Sequence, residues 1–151
     1  AAAGPAQRFG PQLEVVGRHS DPNRAAVDRQ LVSLCQSHPV DVVVMAGWMR
    51  IVTDVLVKAF PERLVNIHPS LLPSFRGLDA VGQALKAGVS ISGCTVHIVT
   101  TELDAGPILA QAAVPVFGTD NHDSLAKRVQ QQEHVLLPAT LQQNAHRWRQ
   151  G

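Results

Sequence analysis

The sequence predicts an α/β domain, because short β-branched apolar runs alternate with segments of helical periodicity. The first run, Val40 to Ala46, is apolar at nearly every position, as is typical of a strand that is buried on both faces. Further strand-like runs follow at Arg63 to His68, Ile91 to Val99 and Ile108 to Val116. We therefore predict a mostly parallel sheet that binds its ligands at the carboxyl ends of the strands.

The intervening segments predict five helices, each beginning at a polar N-cap or at a proline. In chain order they are Asp21 to His38 (with Pro22 in the first turn), Thr53 to Phe60, Asp79 to Lys86, Asp120 to Leu137, and Pro138 to about Trp148. Leu13 to Val16 is a further candidate strand. Gly82 lies inside the third helix, where glycine costs about 1 kcal/mol relative to alanine.

The composition is that of one ordinary globular domain, and we treat residues 1–151 as that domain. Of 151 residues, 45% are apolar, 17% are charged and 4% are aromatic, and the net charge is +1. A chain without a basic run and with few aromatic residues lacks the groups that bind nucleic acid. It also lacks an apolar run long enough to span a membrane. Cys35 and Cys94 lie singly on apolar faces, so we expect buried, reduced thiols and a cytoplasmic protein.

Asn66 and His68 form the most informative pair, because alternate residues of a strand project from the same face. Two readings are open. The pair either satisfies nearby backbone groups, which is commoner for an isolated pair, or it donates hydrogen bonds to an oxygen that becomes negative during acyl transfer. The rigid segment from Pro69 to Pro73 favours the second reading, since it would hold the pair without covering it.

Asp104 follows a strand within a Gly/Pro turn. Most such aspartates bond their own backbone, but a carboxylate beside His68 would orient the imidazole, keep it protonated and relay a proton through water. Gln130, Glu133 and His134 share one helix face; a solvated surface and a binding face for a hydroxylated substrate are equally consistent with this spacing.

Rival chemistries find less support in the sequence. The histidines show no HExxH motif or tight Cys/His spacing, so we expect no metal site. No nucleophile elbow and no glycine-rich phosphate loop follows any predicted strand. His97 lies within a strand pattern and is interpreted as a core or strand-edge histidine.

Five motifs resemble one enzyme family. GWMRI, NIHPSLLPSFRG, SGCTVHIVT, ELDAGPI and VQQQEH are similar to the folate-dependent phosphoribosylglycinamide formyltransferases of purine synthesis, from about Leu13 to the C-terminal helix. The resemblance implies a Rossmann-like formyltransferase fold. It also implies transfer of a formyl group from 10-formyltetrahydrofolate to the amine of glycinamide ribonucleotide, without a metal ion or an enzyme-bound acyl group.

The resemblance also implies roles for individual residues. Asn66 and protonated His68 would stabilise the oxyanion, and Asp104 would assist proton transfer. Gln130 and Glu133 would bind the ribonucleotide, Glu133 at the ribose hydroxyls. The pterin would be held, largely through backbone groups, by Met49, Arg50, Ile51, Val52, Val99, Thr100, Thr101, Glu102 and Leu103.

The chain departs from the family pattern near its N-terminus. The family begins with a strand and a Gly-Ser-Asn type loop that grips the substrate phosphate at a helix end. We expect this N-terminal βαβ portion, on the order of 50 residues, to be missing. Asp79 also stands where many members carry histidine. Formyltetrahydrofolate deformylation and folate binding without activity therefore remain alternative functions, and monomer and homodimer are both open.

Overall fold

The structure is a computed structural model, and it describes residues 16, 23–38, 40–48 and 51–149. Helices and strands alternate along these residues, which confirms the α/β class. The helices are α1 (Arg24–Gln36), α2 (Asp54–Ala59), α3 (Ala80–Ala87) and α4 (His122–Arg149). The strands are β1 (Val43–Met45), β2 (Leu64–His68), β3 (Ile91–Ile98) and β4 (Ile108–Pro115).

The described strands form one mixed sheet in the order β1-β2-β3-β4. β1 and β2 are parallel, whereas β2 pairs with β3, and β3 with β4, in antiparallel orientation. For this part of the chain the prediction of a mostly parallel sheet was wrong. For the β3–β4 pair the reason is the short connection, residues 99–107, because a parallel crossover needs a dozen or more residues. The β2–β3 connection, residues 69–90, is long enough for a crossover, so its length does not explain the antiparallel pairing of these strands.

β1 is shorter and more exposed than its sequence predicts. The apolar run from Val40 to Ala46 contributes only Val43–Met45 to the sheet, and β1 lies at the edge of the described sheet rather than at its centre. Val44 is 37% exposed, whereas Met45 is buried. The run is apolar because Val43 and Met45 pack against the core formed with α1 and α2, and Val42 packs against a different cluster, which contains Trp148.

α4 continues through Pro138, so the prediction of two separate helices was wrong. Proline lacks the N–H of a helical hydrogen bond and clashes with the preceding turn, which normally ends or kinks a helix. Here packing on both sides of the proline outweighs that local cost. Leu125 is fully buried on the N-terminal side. Trp148 is buried on the C-terminal side and donates its indole N–H to the carbonyl of Glu62 at 3.1 Å.

The start of α1 differs from the predicted one. Asn23 is the N-cap, and its side chain accepts a hydrogen bond from the amide of Ala26 at 3.0 Å. The predicted cap Asp21 and first-turn Pro22 lie outside the described residues, as does the candidate strand Leu13 to Val16 except for its last residue.

α3 has the predicted caps at both ends. Asp79 adopts a left-handed conformation (φ 54°) and accepts from the amide of Gly82 at 3.2 Å, and Gly88 ends the helix with φ 68°. The structure explains why a glycine lies inside this helix. A Cβ added at Gly82 would lie 2.1 Å from Oδ2 of Asp79, so the capping carboxylate occupies the space of a side chain.

Three apolar clusters join the helices to the sheet. One joins α3 and the first half of α4 to β3 and β4, the second joins α1 and α2 to β1 and β2, and the third surrounds Trp148. Both cysteines are free; Cys94 is buried and Cys35 half-buried. Within the described ranges, no helix combines the length and the apolar character needed to cross a bilayer.

Candidate active site

A cleft of about 1250 Å³ opens at the carboxyl end of β2. This volume exceeds the 300–1,000 Å³ typical of a pocket for one small ligand, so the cleft has room for two ligands side by side. Its lining includes the residues that the sequence singles out for chemistry and substrate binding, namely Asn66, His68, Asp104, Gln130 and Glu133.

His68 is the last residue of β2 and is only 6% exposed. Its Nε2 lies 2.8 Å from the carbonyl oxygen of Phe75; since a carbonyl only accepts, Nε2 carries the hydrogen and donates. Its Nδ1 lies 3.4 Å from Oδ2 of Asp104. The structure therefore brings the imidazole and the carboxylate together, and both ring nitrogens face oxygen acceptors.

Asp104 holds three parts of the site together. It adopts φ 49° in the turn after β3, a conformation that aspartate tolerates better than most residues. Its Oδ2 accepts from the amide of Gly77 at 2.8 Å, and its Oδ1 lies 3.8 Å from Nε2 of His97. One buried carboxylate thus contacts β2, β3 and the loop after β2.

His97 is a site residue that sequence reasoning missed. It is 2% exposed, so its interpretation as a core histidine was right, but its ring faces functional groups. Its Nδ1 lies 3.0 Å from the carbonyl oxygen of Ile98, and its Nε2 lies 3.3 Å from Nδ2 of Asn66. Burial lowers the pKa of His97. No pattern in the sequence indicates this role, because it depends on the antiparallel register that pairs Asn66 with His97.

The loop after His68 is clamped to β3 and β4 by one buried hydroxyl. Oγ1 of Thr95 donates to the carbonyl of Ser70 at 2.7 Å and accepts from the amide of Leu72 at 3.0 Å. The side-chain amide of Gln111 donates to the same hydroxyl at 3.0 Å and to the carbonyl of Leu72 at 2.9 Å. This network fixes the segment that leads to the Phe75 carbonyl, and through it the His68 ring.

A second, smaller cavity of about 70 Å³ adjoins the cleft, with Asn66 and Asp104 lining both. Its volume is below that of ordinary ligand pockets, so a bicyclic ring would have to displace part of its wall. Met49 and Arg50, which were also predicted to bind the cofactor, lie outside the described residues. The other predicted cofactor residues all line this cavity: Ile51, Val52, Val99, Thr100, Thr101, Glu102 and Leu103.

α4 contributes one wall of the cleft through Gln130 and Glu133, whereas His134 does not line it. Glu133 is half-buried, and burial raises the pKa of its carboxyl group. Behind it, burial followed by the charge of Glu133 raises the pKa of Cys94 to about 11, which makes this thiol a poor nucleophile. Across the described ranges, no group of three His, Cys, Asp or Glu residues is arranged to hold a metal ion.

Comparisons with known proteins agree with this geometry. A family model described as "Formyl transferase" matches residues 1–141. The chain is 47% identical over 119 residues to phosphoribosylglycinamide formyltransferase of Escherichia coli, covering 79% of this chain and 56% of the relative. It is 40% identical over 121 residues to the Bacillus subtilis protein of the same name, covering 80% of this chain and 62% of the relative.

A solved structure shows the same likeness over more of its length. The crystal structure of phosphoribosylglycinamide formyltransferase from Brucella melitensis superposes with a TM-score of 0.86 at 40% identity, covering 95% of this chain and 73% of that one. The chain spans 56% to 62% of the two curated relatives. The family match, the sequence identity and the shared Rossmann-like fold together place the chain in the formyl transferase family.

Proposed function

We propose that the protein transfers the formyl group of 10-formyltetrahydrofolate to the amine of glycinamide ribonucleotide, a step of purine synthesis in the cytoplasm. The observation that carries this proposal is the convergence of three polar side chains on one cleft. Asn66 and His68 come from β2 and Asp104 from the turn after β3, and all three line the cleft, with Nδ1 of His68 3.4 Å from Oδ2 of Asp104. The names of the relatives support the choice of substrates.

The reaction requires stabilisation of a tetrahedral oxyanion. The substrate amine attacks the formyl carbon, forming a C–N bond and placing a negative charge on the formyl oxygen. Collapse of this intermediate breaks the bond between that carbon and N10 of the folate, and a proton from the amine ends on N10. Fixed donors in a site shielded from water commonly contribute about 10²–10³ in kcat each.

Asn66 and His68 are the donors that the cleft offers. The Nε2–H of His68 donates to the carbonyl of Phe75 at 2.8 Å, so Nδ1, when protonated, is the nitrogen that would donate to the oxyanion. At 3.4 Å its contact with Asp104 is longer than the 2.7–2.9 Å of a strong charged hydrogen bond. Asp104 would stabilise the imidazolium and pass the amine proton to N10 through water.

The two ligands would occupy opposite sides of Asn66 and Asp104. Ile51, Val52 and the turn from Val99 to Leu103, together with Met49 and Arg50, would hold the pterin. Gln130 and Glu133 would bind the ribonucleotide from α4, with Glu133 accepting from the ribose hydroxyls. The smaller cavity supports this division because Asn66 and Asp104 are among the residues that line both it and the cleft.

A direct assay tests the proposal. The protein is incubated with 10-formyltetrahydrofolate, with and without glycinamide ribonucleotide, and both the loss of the formyl group and the formylated product are followed. We expect loss that depends on the amine, at a rate that Asp104→Asn lowers by about 10²-fold or more, as expected for loss of a general acid–base group.

The other outcomes separate the alternative functions. Loss of the formyl group to water without the amine would identify a deformylase. Folate binding without turnover would identify a folate-binding protein that lacks activity. Either result would contradict the proposed transfer.

A further inference from the structure

We propose that His97 is a positioning residue that fixes the side-chain amide of Asn66 with its N–H group toward the reacting oxygen. The inference rests on the proposed formyl transfer, and it gives His97, which lines the smaller cavity, a role that acts through Asn66. It is carried by three contacts of one buried ring. These contacts decide, in turn, the tautomer of His97 and the orientation of the amide.

The first step concerns the tautomer of His97. Its Nδ1 lies 3.0 Å from the carbonyl oxygen of Ile98, which can only accept, so Nδ1 carries a hydrogen. A neutral ring has one hydrogen, and Nε2 is then a bare acceptor. The ring is 2% exposed, and the desolvation that lowers the pKa of His97 favours this neutral form.

The second step concerns the amide of Asn66. A bare Nε2 at 3.3 Å can accept from the NH₂ group of the amide but cannot bond its carbonyl oxygen, which also only accepts. His97 therefore distinguishes the two amide orientations that differ by a flip. An NH₂ group has two hydrogens, and the second remains for a ligand, because Asn66 lines both the cleft and the adjoining cavity.

The third step concerns the charges around the ring. The Asp104 carboxylate, 3.8 Å from Nε2 of His97, acts to raise the pKa of His97. Burial of the ring, which is the largest effect, and the charge of protonated His68 outweigh it, so that the pKa of His97 is lowered. A hydrogen on Nε2 would repel the Asn66 NH₂ group and attract the amide oxygen instead. The flipped amide would then point its oxygen, rather than its N–H, at the position of the oxyanion. A neutral His97 keeps the donor in place.

Two matched substitutions test the assignment. The amide of glutamine reaches about as far as Nε2 of histidine, so His97→Gln can still accept from Asn66. The amide of asparagine reaches about as far as Nδ1, so His97→Asn keeps the bond to the Ile98 carbonyl and leaves Asn66 without an acceptor. Both variants replace the ring with a polar amide, and they differ in which of the two contacts is retained.

We expect His97→Asn to lower kcat by about 10²-fold, the usual effect of losing one oxyanion donor, with the KM values little changed. His97→Gln should recover most of this loss. In the Asn66→Ala background, His97→Asn should have little further effect on kcat, because the group that it positions is gone. Equal losses in the Gln and Asn variants, or losses that multiply with that of Asn66→Ala, would overturn the proposal.

A measurement without turnover keeps this inference separate from the proposed function. The Nδ2 hydrogens of Asn66, identified by their absence in Asn66→Asp, are followed by ¹⁵N–¹H spectroscopy. One of them should shift on His97→Asn and return toward its native position in His97→Gln. Unchanged resonances in both variants would overturn the contact with His97. If the native protein transferred no formyl group, the proposed function would fail while this spectrum still decided whether His97 orients Asn66.

Discussion

Two His–Asp pairs flank the same cleft, and they differ in burial far more than in chemistry. His68 and Asp104 lie at its floor, with side chains 8% and 9% exposed and a nitrogen–oxygen distance of 3.4 Å. His122 and Asp79 lie at its rim, with side chains 56% and 64% exposed, at the shorter distance of 2.8 Å. The shorter contact is the one that water can replace.

The comparison shows that distance alone does not rank polar contacts. Water screens a charged pair at the surface, and exposed ion pairs commonly contribute about 0–1 kcal/mol. A buried pair interacts through a medium of lower polarizability, and removing one partner leaves the other without compensation. The hydrogen bond from His122 lowers the pKa of Asp79, yet this exposed contact has little to orient. The pair at the floor faces the reacting groups.

The largest expected effect comes from making the same substitution in both histidines. We expect His68→Gln to lower kcat by about 10²-fold or more, because it removes a charged donor to the oxyanion. We expect His122→Gln to change kcat by a factor of about 3 or less, as is usual for an exposed pair. Steady-state kinetics with both substrates, at pH 7.5 and at two salt concentrations, would measure the difference.

Thermal unfolding of both variants provides the control for folding. Similar midpoints would assign the contrast in kcat to the site rather than to stability. The comparison would be broken by a loss at His122→Gln as large as that at His68→Gln, since the rim pair would then act on the reaction.

The same contrast explains what the sequence could and could not predict. The alternation of β2 predicted that Asn66 and His68 share a face. Asp104 was predicted to lie near them from the rule for parallel strand ends, but β2 and β3 are antiparallel, so the path of the turn after β3 brings Asp104 to His68. The acceptor for Nε2 of His68, the Phe75 carbonyl, was not predictable, because no local pattern encodes the path of the loop. His97 was also missed, since its meeting with Asn66 depends on the β2–β3 register.

Segments with strong local signals but unusual packing were the other source of error. Pro138 is a correct local signal for the end of a helix, but the cores on both sides of it determine the outcome. The glycine at position 82 looked unfavourable until the structure placed the Asp79 carboxylate 2.1 Å from where its Cβ would be. In both cases packing in the folded structure outweighs the intrinsic helix propensity of a single residue.

A second prediction sharpens the description of the rim pair. By helix propensity alone, Gly82→Ala should stabilise α3 by about 1 kcal/mol. We expect it to lower the midpoint of thermal unfolding by a few degrees instead, because the new methyl group would displace the capping Asp79 carboxylate. Circular dichroism during heating would measure the change.

The matched control repeats Gly82→Ala in the Asp79→Gly background, where the carboxylate is absent. There the same substitution should raise the midpoint, since the three heavy atoms nearest to the new methyl group all belong to the Asp79 side chain and are absent in that background. The same sign in both backgrounds would mean that the Asp79 carboxylate does not limit the side chain at position 82.

The smallest expected effect concerns Glu133, a half-buried carboxylate whose exposure lies between that of the buried pair and that of the rim pair. Burial raises the pKa of Glu133 in the folded chain above its ordinary value of 4.5. At pH values between the unfolded and the folded pKa, the folded chain therefore binds more protons than the unfolded chain. The contribution of Glu133 to the free energy of unfolding is therefore most favourable below pH 4.5 and is lost as the pH rises through the folded pKa. Glu133→Gln removes this dependence.

Urea unfolding at pH 4 and pH 8 would measure the effect. Relative to the native protein, Glu133→Gln should gain stability at pH 8 compared with pH 4, by a modest amount because solvent still reaches the carboxylate. Glu102→Gln is the matched control, since the Glu102 side chain is 75% exposed and desolvation can contribute little there. An equal pH-dependent gain in both variants would show that burial does not set the response of Glu133. A gain found only in Glu133→Gln would show that burial links the ionisation of this carboxylate to folding, as expected for the buried pair and not for the rim pair.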